Sequence, residues 1–176
     1  VEEKKKWYPV LKDFVYIKGG QFIMGALEID ENASEDEKPL HEVRLSDFYL
    51  GKYAITLAQF AEFIAATGYQ TDADKYGGSY GWAHKNEKKA GVNWRCDVKG
   101  NPQTDGQHPV IHVSWNDAIN FCNYWNKKLG LKPCYDAKGN LLNNYGKTTT
   151  DLSQVKGFRL PSEAEWEYAC RAGTST

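Results

Sequence analysis

The sequence predicts a loop-rich domain of short strands and a few helices rather than a helical bundle, and three observations predict it. Aromatic residues make up 14% of the 176 residues, with 6 Trp, 11 Tyr and 7 Phe against a single Met. Rings supply much area at few rotatable bonds, which suits irregular chain held by scattered aromatic plugs, or an aromatic-lined recognition surface. Glycine is frequent, at 16, and favours tight turns and long ordered loops. Apolar periodicity comes in short pieces, β-prone early in the chain and helical at three later places.

The first element is read from Phe14 to Gly25, where two β-prone runs flank Gly19-Gly20; this predicts a β-hairpin. Leu27 to Pro39 is acidic and polar, lacks the Gly and alternating oxygen ligands of an EF-hand, and reads as a solvated loop. Glu42 to Leu45 and Phe48 to Tyr53 read as strands with Ser46-Asp47 as a turn or bulge. Thr56 and Gln59 then form a capping box ahead of the stripe Leu57, Phe60, Phe63, Ile64, and Gly68 ends that helix. Gly68 to Gln107 is a long irregular stretch, a candidate recognition surface, with Trp82 and Trp94 either displayed on it or folded back as core plugs. Pro109 to Val113 reads as a short buried strand. Ser114 with Asp117 opens a second helix carrying Ala118, Phe121, Cys122, Trp125 and Leu129 on one face. Leu131 to Lys156 reads as a polar surface excursion. Ser162 and Glu165 cap a last helix, with Trp166, Ala169 and Cys170 expected to face inward.

Charge and hydropathy narrow the function classes. The 22 basic and 23 acidic residues give a net charge of −1, and no stretch gathers Lys and Arg into a stripe, which argues against a nucleic-acid binder or a polybasic anchor. The apolar runs fall far short of a bilayer crossing, and mean hydropathy is −0.65. Residues 1–13 are expected to be a mobile lead-in, and 14–176 the domain proper. No apolar signal region opens the sequence, so the protein is either cytosolic or has had a leader removed.

Few constellations carry chemistry. On an extended chain His108 and His112 would stand about 13 Å apart, too far to share one ion. His112, Ser114 and Asp117 resemble a hydrolase trio, but Ser114 is employed as a helix cap and no nucleophile elbow surrounds it. Glu163, Glu165 and Glu167 complement a helix dipole. Cys96, Cys122, Cys134 and Cys170 show no C-x-x-C pair. Cys122 and Cys170 lie on helix stripes and read as buried structural thiols, and disulfides are permitted without being required.

Four segments together resemble one family. They are Phe14 to Gly25, Phe48 to Thr56 with Gln59-Phe60, Pro109 to Cys122 with Val113-Ser114-Trp115-Asn116-Asp117-Ala118, and Arg159-Leu160-Pro161-Ser162-Glu163-Ala164-Glu165-Trp166-Glu167-Tyr168-Ala169. In order and spacing they are similar to the sulfatase-modifying-factor, or formylglycine-generating-enzyme, domain. The resemblance implies an α+β, C-type lectin-like fold with much irregular loop, two main helices and long connections. It also implies a functionally mixed family: copper-dependent oxidases that convert a sulfatase cysteine into formylglycine, ergothioneine-pathway iron enzymes, gliding and secretion lipoproteins, and ligand-binding proteins diversified by retroelements. In that family the reactive cysteines and calcium ligands lie C-terminal to the Arg159 to Ala169 helix, and none of the four cysteines here matches the catalytic positions. The expectation is therefore an N-terminal portion of a longer domain, with an apolar surface that a C-terminal portion of the same domain would cover.

Fold does not decide function, so more than one reading follows. The first is a non-catalytic, exported or surface-displayed binding module, taking an unidentified protein or small-molecule ligand, with Tyr80, Trp82, Trp94 and Arg95 as ligand contacts. It has no cofactor in this chain, calcium belonging to the complete domain. The second is a formylglycine-generating oxidase, with copper, whose cysteines lie beyond Thr176. The third is a structural lipoprotein subunit.

Overall fold

The computed structural model describes residues 12–80 and 87–174, and the chain divides into two units, Val1–Lys52 with Pro161–Thr176, and Tyr53–Leu160. The lead-in residues 1–11 lie outside the described residues.

In the first unit the expected Gly19-Gly20 hairpin does not form. Strand β1 (Phe14–Ile17) pairs antiparallel with β4 (Phe48–Gly51), and β2 (Gln21–Met24) with β3 (His41–Arg44). Both ladders keep one register, from Phe14 opposite Gly51 to Ile17 opposite Phe48 and from Gln21 opposite Arg44 to Met24 opposite His41, and are interrupted at 18–20 and 45–47, so residues 14–24 and 41–51 are two arms of one bent ribbon. At the middle of the ribbon Leu45 N–H donates to Gly20 O at 2.8 Å and Gly19 N–H to Asp47 Oδ1 at 2.9 Å. The Gly-Gly pair is thus a bend shared by both arms. A Gly-Gly signal permits a turn or a bend, and the equally β-prone partner at 41–51 decides for the bend by giving each strand a four-residue ladder. The arms close through the acidic loop, which is exposed and carries one 3₁₀ turn at Glu35–Glu37.

Helix α4 (Glu163–Arg171), which belongs to this unit, has the expected capping box between Ser162 and Glu165. Its inward face is not the expected one: Trp166 is 60% exposed and Cys170 is exposed. Tyr168 packs instead, edge-on to Phe22 at 5.1 Å, while its hydroxyl donates to Lys18 O. Glu167 and Arg171 clasp Gly25 from both sides, the first accepting from its N–H at 3.0 Å and the second donating to its carbonyl at 2.9 Å. An amphipathic Tyr and an ion pair win this face because they satisfy the polar backbone where the ribbon enters its loop, which Trp and Cys cannot.

The second unit is built on two helices. Helix α1 (Leu57–Thr67) starts at Thr56 with the predicted reciprocal cap and stops at Gly68 in the left-handed region. Short α2 (Asp72–Lys75) and the strand pair β5 (Ser79–Tyr80) and β6 (Lys88–Lys89) occupy part of the long stretch read as irregular. Helix α3 (Trp115–Lys128) is capped by Ser114 and Asp117 as expected. It serves two cores rather than one: Phe121 joins Phe60, Phe63 and Trp94, with Trp125 against them, and Ile119 joins Cys134 and Tyr135, with Cys122 against them. The aromatic core is a ring cluster centred on Phe60, 5.3 Å from Phe63, 5.6 Å from Trp94 and 5.8 Å from Phe121.

Two expectations fail in this unit. Pro109 to Val113 is not a strand: only Pro109 bridges Thr56, and His112 turns into the left-handed region at φ 59°. Its ring holds that turn, with Nε2 donating to Asp97 O at 3.0 Å and Nδ1 3.2 Å from Ser79 Oγ, so side-chain bonds replace a ladder. The excursion from Leu131 is not wholly superficial, since Cys134 and Tyr135 are buried. Asn123 and Asn126 on α3 fix it. Asn123 Oδ1 accepts from Cys134 N and Tyr135 N, and its amide donates to Tyr135 O at 2.9 Å. Asn126, fully buried, accepts from Phe158 N at 2.7 Å and donates to Phe158 O at 2.9 Å. Two asparagines therefore do for the backbone of Cys134, Tyr135 and Phe158 what a neighbouring strand would do.

Candidate functional site

Of the four residues expected to contact a ligand, the structure places three. Tyr80 is 64% exposed at the end of β5. Trp94 is 6% exposed and belongs to the aromatic core. Arg95 is exposed, with its guanidinium over the Trp94 ring at 4.2 Å and Nη1 3.6 Å from Asp74 Oδ1. Trp82 lies outside the described residues. Arg95 and Trp94 are thus one stacked unit whose outward surface is the guanidinium, so any ligand contact here runs through Arg95. The Trp94 indole N–H is buried without a partner among the described residues, as is that of Trp125.

A polar cleft of about 280 Å³ opens beside α3, between α2 and the turn at 136–139, with Tyr69, Asp72, Lys75, Asn116, Asn120 and Lys138 on its walls. Sequence reasoning missed it because its key groups look like ordinary helix caps. Asp117 is completely buried. Its Oδ1 accepts from the Tyr69 hydroxyl and from Asp72 N, each at 3.0 Å, and its Oδ2 accepts from Ser114 N at 2.8 Å. One carboxylate so ties the end of α1, the start of α2 and the start of α3 together. Burial first, and then the bond to Asp117, push the Tyr69 hydroxyl well above the usual tyrosine range, which keeps it a neutral donor. Ser114 Oγ donates to Asp72 Oδ2 at 2.7 Å and Asn116 Nδ2 to the same oxygen at 2.9 Å. The Ser114 bond, the larger cause, together with Asn116 and the nearby Lys75, holds the Asp72 carboxyl below its ordinary value, against the opposing effect of burial. Asp72 is therefore a fixed, ionised carboxylate on the cleft wall.

The trio of His112, Ser114 and Asp117 is not assembled as a hydrolase. Ser114 spends its hydroxyl on Asp72 and on the Asp117 N–H, and the His112 ring engages Ser79 and Asp97 O.

All four cysteines are free thiols. Cys122, pressed against Cys134 and Tyr135, has its thiol pushed up to about 12 by burial, with the neighbouring Cys134 adding to the effect. Burial also raises Cys134, whose Sγ lies 3.4 Å from Asn126 Nδ2. A copper centre binds sulfur as thiolate, so these neutral packing thiols do not fit one. Asp97 and Asp136 do not fit calcium either. Each spends its carboxylate on its own turn, Asp97 Oδ1 accepting from Lys99 N and Asn101 N, and Asp136 Oδ1 from Lys138 N and Asn140 N. The two turns share the sequence Asp-x-Lys-Gly-Asn, at 97–101 and 136–140, and in both the glycine adopts positive φ, 81° and 84°. That repeat was the sequence signal from which the pair could have been found.

The model of the sulfatase-modifying factor enzyme 1-like domain matches residues 2–176. The chain belongs to this family. A formylglycine-generating enzyme of Thermomonospora curvata is 33% identical over 93% of this chain and 50% of its own length. An inactive C-alpha-formylglycine-generating enzyme 2 of Mus musculus is 28% identical over 90% of this chain and 47% of its own. The chain thus spans about half the length of the curated relatives it matches. The structure of PvdO from Pseudomonas aeruginosa superposes with a TM-score of 0.57 at 24% identity, over 92% of this chain and 48% of that one. The fold is accordingly the C-type lectin-like one of the sulfatase-modifying-factor family, mixed in strands and helices and rich in ordered loop.

Proposed function

We propose that this sulfatase-modifying-factor domain acts as a non-catalytic binding module whose 176 residues supply scaffold and part of a recognition surface. For these 176 residues taken by themselves, the observation that carries the non-catalytic reading is the state of Cys122 and Cys134. Cys122 and Cys134 are held neutral by burial beside Tyr135, so they fill a core and do not attack or ligate. The existence of a relative named as an inactive formylglycine-generating enzyme supports the same reading. Recognition falls to the exposed Tyr80, to the Arg95 guanidinium and to Trp82, with a protein or small-molecule ligand delivered at an exported or cell-surface location. A C-terminal portion of the same domain is the partner for the α4 face that carries exposed Trp166 and Cys170. Calcium, where the complete domain uses it, is held by that portion.

The similarity to the Thermomonospora curvata enzyme favours a second reading, an oxidase completed by that further portion. One assay separates the two. The chain, and separately the longer protein, are incubated with copper, a thiol reductant, air and a cysteine peptide of sulfatase type, and aldehyde is captured with an aminooxy probe. No aldehyde from either is expected. Aldehyde from the longer protein alone establishes the oxidase reading; aldehyde from the 176 residues overturns the assignment of their cysteines as well.

A further inference from the structure

The acidic loop between β2 and β3 carries a motif that neither the scaffold nor the binding surface uses. Asn32-Ala33-Ser34 is the one Asn-x-Ser/Thr sequence in the chain, and its middle residue is not proline. Asn32 and Ser34 are both exposed. The Asn32 side-chain amide meets no hydrogen-bond partner among the described residues, the one bond at that position being from its backbone N–H to Asp30 Oδ1 at 2.9 Å. Ser34 sits at the N-cap of the 3₁₀ turn with extended backbone, φ −71° and ψ 156°, yet its hydroxyl makes no cap bond. The reactive amide and the hydroxyl that recognition requires are therefore both unspent. Other Asx and Ser side chains in this protein behave differently: Asp97, Asp136, Asn143 and Ser162 are each consumed by their own turn or cap.

We infer that Asn32 is an acceptor site for N-linked glycosylation on the folded protein. The donor class is an oligosaccharide on a polyprenyl pyrophosphate, used by a membrane oligosaccharyltransferase. In the transfer, Asn32 Nδ2 forms a bond to the anomeric carbon of the first sugar and the bond from that carbon to the pyrophosphate oxygen breaks. The lipid pyrophosphate leaves, the amide gives up one proton to a base of the transferase, and nothing is oxidised or reduced. The loop suits the reaction sterically. It projects from a closed ribbon whose arms are held by their own ladder, and the 26–37 segment is tied across its base by the bond from Ala26 N to Glu37 O at 2.8 Å. The tip can thus enter an enzyme without loss of strand pairing. Asp30, two residues before the asparagine, also meets the stricter acceptor pattern of bacterial transferases, which ask for a carboxylate there. The inference is independent of the binding reading, because acceptor competence depends on this loop alone.

The test incubates the folded chain, and separately a synthetic peptide of residues 28–36, with a purified bacterial oligosaccharyltransferase and its lipid-linked oligosaccharide, and reads intact mass. The folded chain is expected to gain one oligosaccharide. Asn32→Gln and Ser34→Ala should each abolish the gain, Ser34→Thr should keep it, and circular dichroism should report unchanged folding for all three. A peptide that is modified while the folded chain is not would overturn the inference, since the fold then hides the site. An unmodified peptide would overturn it too, since the sequence is then no acceptor, as would a gain that survives Asn32→Gln.

Discussion

Asp117 offers the sharpest test of how this loop-rich chain is held. Replacing it with Ala removes the acceptor for two backbone N–H groups, of Asp72 and Ser114, and for the Tyr69 hydroxyl, all within 2.8 to 3.0 Å. A buried donor left without a partner costs roughly 1–3 kcal/mol. Tyr69, Asp72 and Ser114 keep some solvent access, so the lower end applies to each; the Ser114 bond is itself the Asp117 half of the capping box, and the other half, from the Asp117 N–H to Ser114 Oγ, survives the substitution. The sum is about 3 kcal/mol, a large share of the 5–15 kcal/mol that a domain commands. In thermal terms a loss of this size is worth about 6–12 °C for a chain of this length. Urea unfolding followed by tryptophan fluorescence measures it. Tyr69→Phe removes only one donor and leaves the carboxylate its two backbone partners, so it should cost about 1 kcal/mol. Asp117→Asn keeps one oxygen and the side chain's shape and should fall between the two. An Asp117→Ala protein within 1 kcal/mol of the parent would refute the reasoning. Tyr69→Phe equal in cost to Asp117→Ala would show that the backbone donors contribute nothing.

Two further outcomes follow from the second core. Gly157 sits at φ +147°, and a Cβ there would stand 2.7 Å from Asn126 Oδ1 and 2.8 Å from Cys134 Sγ; Gly157→Ala should cost roughly 2–4 kcal/mol by urea titration, and a loss below 1 kcal/mol would contradict the packing. The Cys122 thiol, raised to about 12 in the folded state from about 8.5 unfolded, keeps a proton that the unfolded chain releases between those values. Its stabilising contribution is therefore complete below about pH 8.5 and declines above it, by up to about 1.4 kcal/mol per pH unit. Stability measured from pH 8 to pH 10 should fall in the parent and fall less steeply in Cys122→Ala, and equal slopes would remove Cys122 from the explanation.

Legibility in the sequence followed the range of the signal. Three of the four helix starts were readable because a capping box is a local device, with Thr56 and Gln59, Ser114 and Asp117, and Ser162 and Glu165 each satisfying the other's backbone within four residues; α2 has the same box, Thr71 with Asp74, but its four residues carry no apolar stripe to mark a helix. The ribbon was misread as a hairpin because the competing partner at 41–51 is distant in sequence, and local turn chemistry cannot weigh it. The α4 face was misassigned for a related reason: Trp166 and Cys170 fit an apolar stripe, but the ribbon's Gly25 presents polar backbone that Glu167 and Arg171 alone can meet. The cleft and its buried Asp117 stayed hidden because an acid at the third helical position explains itself as a cap, and only the approach of Tyr69 and Asp72 reveals its second task.

The manner in which the loops are fixed bears on why one fold serves unrelated functions. In a sheet, a loop's course is set by backbone ladders that constrain every residue along them. Here residues 131–160 are set partly by short backbone bonds of their own, such as Leu142 N to Cys134 O at 2.8 Å and Thr149 N to Leu141 O at 2.9 Å, and partly by Asn123 and Asn126 reaching from one helix to the backbone of Cys134, Tyr135 and Phe158. The points at 134–135 and 158 are then specified by the anchoring side chains, and the chain between them by backbone bonds that ask little of side-chain identity away from packed glycines such as Gly139 and Gly157. The same holds at 97–101 and 136–140, where an aspartate folds its own turn and asks for little outside it. A scaffold so fixed separates the residues that hold shape from the residues that meet a ligand. Catalytic and non-catalytic members can therefore share it, and the chemistry of any one of them must be sought in its exposed side chains rather than in its core.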